Sequence, residues 1–171
     1  MWQLRRLDDR QTFNRLVEER IAQPVAAFAV LDETPIAERE WRSVVVTGQY
    51  DGETDQVPTA GGYLLVTPFL TTEGSVIYVN RGTVGSAETV PTPPAGDVEL
   101  VARFRTAPST ATSVPADALF VERTGSVPDE PALAIPGLPA LDDGPHLGYA
   151  VQWFIFAICV AVGWVLAVRR S

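Results

Sequence analysis

The sequence predicts a membrane-anchored α+β protein: an antiparallel β-sheet or small open barrel, with an amphipathic helix before it and a transmembrane helix after it. Three observations carry this. Leu147 to Val168 runs about 22 residues without a formal charge, or ~33 Å of helix, enough to cross a bilayer. Upstream, several short runs rich in Val, Thr and aromatic residues are separated by Gly- and Pro-rich turns, the pattern of an antiparallel sheet. Before those runs, Phe13, Leu16, Val17 and Ile21 recur at helical spacing.

The elements follow in order. Thr12 to Gln23 reads as the amphipathic helix, closed by Pro24. Trp41 to Tyr50 reads as a strand with Val44, Val46 and Tyr50 on one face of the pleat. Tyr63 to Phe69 is a continuous apolar run; Pro68 suggests a buried strand finishing at a sheet edge. Ser75 to Asn80 follows a Glu73-Gly74 hairpin turn. Val98, Leu100, Ala102 and Phe104 alternate against Glu99, Val101, Arg103 and Arg105, a half-buried strand. Leu119 to Glu122 is a weaker fifth strand. Thr83 to Gly96 and Thr106 to Ala118 read as surface loops. Four segments result: a helical segment 1–24, a β domain 25–126, a Pro-rich connector 127–145 suited to an extended strut, and the anchor 146–171.

Charge sets the orientation. Arg169 and Arg170 follow the span directly, while Val127 to His146 contains no basic residue and carries Asp129, Glu130, Asp142 and Asp143. The positive-inside bias places the C-terminus in the cytoplasm and the main domain on the outer face of a bacterial cell membrane. A domain on that face must be exported, and Met1 to Leu16 is not an export signal, so a first membrane segment is expected before Trp2. The alternative is a tail anchor with a cytoplasmic domain. With a first membrane helix before Trp2, Arg5, Arg6 and Arg10 lie near the outer headgroups, mildly against the charge bias.

Composition narrows the function. The formal net charge is -8, from 13 basic and 21 acidic residues; without Arg169 and Arg170 the rest of the chain carries -10. Such a surface does not seek nucleic acid. Every basic residue is Arg. The single cysteine, Cys159, lies within the span, so no intramolecular disulfide forms, and one Cys with one His leaves no local zinc motif. There is no G-x-S-x-G elbow, P-loop or G-x-G-x-x-G, and the sole imidazole stands at the start of the membrane helix. Asp51, Glu53 and Asp55 fall in a Gly-rich turn and read as solvated. The chain is not expected to be an enzyme.

Three positions have two readings each. His146 is either an interfacial residue at the level of Tyr149 and Trp153 or an axial ligand to haem iron, with the porphyrin edge in water and its tail in lipid. Gln152, the strongly polar side chain of the span, faces either a partner helix or headgroup water. Arg81, at a strand end, is either a turn residue in a surface ion pair or a clamp for a carboxylate or propionate.

Several stretches resemble the Surfeit locus protein 1 family, membrane factors that help assemble cytochrome c oxidase. They are Trp2-Gln3-Leu4-Arg5-Arg6, Val44-Val45-Val46-Thr47-Gly48-Gln49-Tyr50, Gly62-Tyr63-Leu64-Leu65-Val66-Thr67-Pro68, Val79-Asn80-Arg81-Gly82 and His146-Leu147-Gly148-Tyr149-Ala150-Val151-Gln152-Trp153-Phe154. Their order fits along nearly the whole chain, and Thr83 departs from the Trp usual after Arg-Gly. The resemblance implies two membrane helices flanking an exported domain, and a non-enzymatic role in maturing the haem a centres of oxidase subunit I. It implies that His146 binds haem a transiently and that Tyr149, Gln152 and Trp153 face the partner. A second role is also implied, a stable accessory subunit of the oxidase or of a respiratory supercomplex.

Overall fold

The computed structural model describes residues 2–32, 34–85, 90–141 and 146–170, the side chains of 2–4, 32, 146, 147 and 150 excepted. The chain divides into two compact units, Met1–Glu18 with Leu138–Ser171, and Glu19–Gly137.

Helix α1 spans Trp2–Ile21. It begins well before the expected Thr12, because nothing from Trp2 to Gln23 is Pro or Gly and Arg, Leu and Gln are good helix formers. Val17 is buried as its spacing requires, whereas Phe13 is 41 % exposed. In the first unit, Arg10 donates from Nη2 to the Ala140 carbonyl at 3.2 Å. Helix α4 spans His146–Arg170. Its stretch Val151–Arg170 is long and apolar enough to cross a membrane, and every side chain along it is exposed.

The second unit is a β-barrel. Its elements are β1 (Ala26–Ala27), α2 (Phe28–Asp32), α3 (Ile36–Arg39), β2 (Ser43–Tyr50), β3 (Asp55–Thr59), β4 (Gly62–Thr71), β5 (Val76–Val84), β6 (Val98–Arg105) and β7 (Leu119–Val127). β2, β4 and β5 form an antiparallel meander. β6 returns to pair with β2, and β7 fills the gap between β6 and β5, antiparallel to the first and parallel to the second. Five strands thereby close on themselves. β1 and β3 are appended at the margins of β2 and β4.

Closure depends on one glycine. Gly48 pairs with Thr71 where β2 meets β4, and a Cβ there would stand 2.1 Å from the Leu70 carbonyl oxygen and 2.7 Å from the Phe69 ring. Only a residue without a side chain lets the two backbones meet.

The alternation read from the sequence fills the barrel. Val44 and Val46 of β2 and Val98, Leu100, Ala102 and Phe104 of β6 point inward, joined by Phe69, Ile77, Val79 and Val121. Phe28 and Leu31 of α2 belong to the same cluster. A second cluster of Val57, Val66, Ala111, Val114 and Phe120 is formed by β3, β4, β7 and the loop 106–118.

Two details depart from the sequence reading. Pro68 does not end β4 at an edge. Its carbonyl accepts from the Asp51 N–H, so its missing N–H faces the gap between the parts of β4 that pair with β3 and β2, and the strand continues to Thr71. Asp55 is not in a solvated turn but opens β3, where its carboxylate accepts from the Ser113 hydroxyl at 2.6 Å.

Candidate functional site

Two β-bulges build the most densely charged part of the barrel interior. In β5, Leu65 pairs with Gly82 and Val66 with Asn80, so Arg81 is the extra residue. In β7, Val101 pairs with Gly125 and Ala102 with Arg123, so Thr124 is extra. Arg81 continues the inward face of Ile77 and Val79, and Arg123 that of Val121, and both arginines are fully buried beside the bulges.

Gly82 permits this geometry with φ 143°, and Asn80 Oδ1 accepts from its N–H at 3.1 Å. A Cβ at Gly82 would lie 2.7 Å from the Ala134 carbonyl oxygen. Thr83 and Ala134 exchange backbone hydrogen bonds there, at 3.0 and 3.3 Å. The segment after β7 is therefore tied to the barrel rather than standing free as a strut, with Leu133 buried and the Pro136 carbonyl accepting from Arg103 at 3.4 Å.

Glu130 on that segment supplies the countercharge. Its Oε2 accepts from Arg81 Nε at 2.8 Å and also from Arg81 Nη2, and its Oε1 accepts from the Tyr50 hydroxyl at 3.2 Å. Arg81 Nη1 donates to the Pro91 carbonyl at 3.0 Å, and its guanidinium lies 5.4 Å from the Tyr50 ring centre. Arg123 donates from Nε to the Arg81 carbonyl at 2.6 Å and from Nη2 to the Glu130 carbonyl at 3.4 Å. Asp129, largely exposed, comes within 3.7 Å of Arg123. Burial, then the Glu130 carboxylate, push the Tyr50 phenol well above its ordinary range. Two buried guanidiniums against one buried carboxylate would be costly, and the backbone carbonyls offset the remaining charge. Chemically this is a clasp: two guanidiniums hold one carboxyl group and close the chain over the barrel end.

The predicted positions fall as follows. Arg81 is neither at the surface nor open to a ligand's carboxylate: it is buried and paired with the chain's own Glu130. Tyr149, Gln152 and Trp153 are exposed on α4. The backbone of His146 begins α4, but its side chain lies outside the described residues. Arg81 and His146 belong to different units. On α4, Trp153, Phe156, Ala157, Val160, Ala161 and Trp164 line a shallow apolar groove, with Gln152 one turn before Phe156 on the same row. Sequence reading missed Tyr50, Arg123 and Glu130 as parts of one cluster. A buried Arg requires a carboxylate, but nothing local to Asn80-Arg81-Gly82 says which.

A closed five-stranded barrel, its end clasped by a buried ion pair, in a chain that also carries a helix long and apolar enough to cross a membrane, defines the class of this protein. The family model for the SURF1 family matches residues 1–158, and the chain belongs to that family. Similar proteins include an uncharacterized SURF1-like protein of Mycobacterium bovis (strain ATCC BAA-935 / AF2122/97) and those of Mycobacterium tuberculosis strains CDC 1551 / Oshkosh and ATCC 25618 / H37Rv. Each is 28 % identical over 174 residues, covering 82 % of this chain and 64 % of the relative. The chain thus spans less than two thirds of the length of those relatives. No solved structure matches it.

Proposed function

We propose that this protein assists assembly of a haem a-containing cytochrome c oxidase, acting on subunit I from the outer face of a bacterial cell membrane with its C-terminus in the cytoplasm. Membership of the SURF1 family is the observation that carries this reading. Arg169 and Arg170 at the end of α4, against the absence of basic residues in 127–146, support the orientation. The fully exposed surface of Val151–Arg170 supports lipid and a partner helix as its surroundings. Its role is one of binding and positioning, without turnover.

Haem a is the group such a factor would hold. His146 fits it by donor type and by place: an imidazole at the first residue of α4, where a porphyrin edge meets water and its tail meets lipid. Among the described residues no group of three or more His, Cys, Asp or Glu offers a competing metal site. Arg81 adds little to such a site, since its fork is spent on Glu130. When bound, the haem would supply iron chemistry to the oxidase; His146 would hold the iron, and Gln152, Tyr149 and Trp153 would meet the receiving subunit.

The stable-subunit reading has one observation in its favour. The charged cluster of the barrel is satisfied internally, so the exposed helix is the more evident contact surface, and that contact needs no haem. His146→Ala separates the two readings. The haem-handling role predicts less haem a in the assembled oxidase, or less haem on the purified protein, with unchanged circular dichroism. Equal haem with equal folding rejects that role and leaves the accessory subunit.

A further inference from the structure

At the barrel end opposite the clasp, where β2 and β7 begin and β6 ends, a cavity of about 390 Å³ lies between α3 and the loop 106–118. Five-stranded Greek-key barrels take ligands on the second and third strands and on the loops joining strands one to two and four to five. Here the second and third strands, β4 and β5, are partly covered by the chain itself. Val57 of β3 and Ala111 and Val114 of the loop pack with Val66, Leu64 and Tyr78 join the same cluster, and Ser113 ties the loop to Asp55 of β3 at 2.6 Å. Loop 106–118 joins the fourth barrel strand to the fifth, and the cavity lies beside it.

The charges on its wall are committed within the chain. Of the described residues lining it, Arg39, Glu40 and Arg105 are charged. Arg105 Nη1 donates to Glu40 Oε1 at 3.1 Å, its Nε lies 3.7 Å from Glu122, and its guanidinium lies 3.5 Å from the ring centre of Trp41. Glu40 Oε1 also accepts from Thr106 Oγ1 at 3.3 Å. Arg39 donates from Nη1 to the Leu31 carbonyl at 3.3 Å, and its guanidinium lies 5.3 Å from the ring centre of Phe104. An ionic guest would have to break one of these pairings, and a neutral guest need not. The rest of the wall is mainly apolar and incompletely covered. Ile36 is 49 % exposed, and Ala107, Pro108, Ala118 and Leu119 are half-buried. A guest that covers them gains the burial the chain itself leaves unmade.

Volume bounds the guest. An apolar cavity of about 150 Å³ holds one benzene, so about 390 Å³ has room for roughly ten to fifteen carbon atoms. The volume is also at the lower end of the range for small-molecule sites. Helix α4 is long and apolar enough to cross a membrane, and lipid is where neutral molecules of this kind concentrate. We propose that this cavity binds a neutral lipophilic molecule of that size, its body against Ile36, Pro108, Ala118 and Leu119. Binding is by apolar burial, with the ion pairs of the wall left intact and no bond made or broken.

The test uses the full chain in lipid nanodiscs, with a diazirine analogue of 1-decanol as photoreactive probe and mass spectrometry to locate the labelled residues. Labelling of 36–40 and 104–120 should saturate with dose. Unlabelled 1-decanol should compete at least about tenfold better than decanoate, since burying an ionised carboxylate beside pairs already made costs more than burying an alcohol. Ala116→Trp, at an exposed lining position, fills the space, and Ile36→Asp puts a charge on the wall; each should lower the labelling at least about tenfold. Circular dichroism reports folding, and the exposed Ala116 position decides if Ile36→Asp does not fold. A folded variant labelled as strongly as wild type overturns the proposal. So does labelling that never saturates, or decanoate competing as well as decanol. None of these outcomes depends on haem or oxidase, so this site and the assembly role fail separately.

Discussion

Arg123 donates its Nε to the backbone carbonyl of Arg81 at 2.6 Å, joining the bulge of β7 to the bulge of β5 where the two strands part. That contact satisfies a carbonyl the parallel ladder leaves open, since β5–β7 pairing stops at Asn80 and Glu122. Arg81 then turns its own fork to Glu130. Two strand irregularities and one distant carboxylate thus make a single unit, and each member is costly to bury without the others.

The first prediction removes the carboxylate. Glu130→Gln keeps the shape but leaves Arg81 and Arg123 buried with no full countercharge, and the loss should be about 3–5 kcal/mol. Asp129→Asn, one residue away with a side chain 73 % exposed, should change stability by less than about 0.5 kcal/mol. Denaturant midpoints of the two variants in the same detergent provide the comparison. Similar midpoints would mean that the clasp does not hold the barrel end.

Barrel closure gives the second. Gly48→Ala forces a Cβ into the Leu70 carbonyl, and backbone cannot retreat as a flexible side chain would. A loss of about 3 kcal/mol or more is expected, at or beyond the upper end of ordinary overpacking. Gly61→Ala meets nothing within 4 Å and should be nearly neutral. A stable Gly48→Ala protein with a native melting transition would show that β2 and β4 need not approach so closely.

How much of this was legible depends on range. β6 was read to the residue, Val98 to Arg105, because one face is buried and period-2 alternation survives intact. β3 was missed because Asp55 to Thr59 carries one buried apolar residue, Val57, and a Pro, which local propensity reads as a turn. Arg81 was visible as an unusual charge in a strand end. Its partner was not, because Glu130 lies 49 residues on in a segment whose acidic residues had been read as membrane-flanking charge. Parallel pairing of β7 to β5 likewise leaves no local mark. Pairings set by tertiary closure have no period in the sequence.

The third prediction concerns alkaline pH. In the folded protein the Tyr50 phenol titrates well above its ordinary value of about 10, burial being the main cause. An acid whose folded pKa is raised keeps its proton in the native state while the unfolded chain loses it. The native state then binds more protons, and stability falls as pH rises above about 10, by at most ~1.4 kcal/mol per pH unit from this group. Tyr50→Phe should remove that share of the slope. The measurement is the difference in unfolding free energy between wild type and variant at pH 9 and pH 11. An unchanged difference would mean that Tyr50 ionises as freely in the barrel as in the unfolded chain.

The last prediction concerns α4 and rests on the proposed assembly role. Ala157 and Ala161 lie in a groove flanked by Trp153, Phe156 and Trp164, and small residues between large ones let a second helix approach closely in lipid. Gln152 begins the same row and would hydrogen-bond across the contact rather than remain unpaired in hydrocarbon. Ile155 and Leu166 lie on the far side of the helix, about 160–180° from Ala157 at ~100° per residue. A photoreactive residue at position 157 or 161 should therefore capture an oxidase subunit, most simply subunit I, while one at 155 or 166 should capture mainly lipid. Capture of the oxidase from all four positions equally would mean that the groove is not the contact. Capture of lipid alone from all four would remove the helix from the interface and, with it, the reading of Gln152 and Trp153 as partner-facing residues.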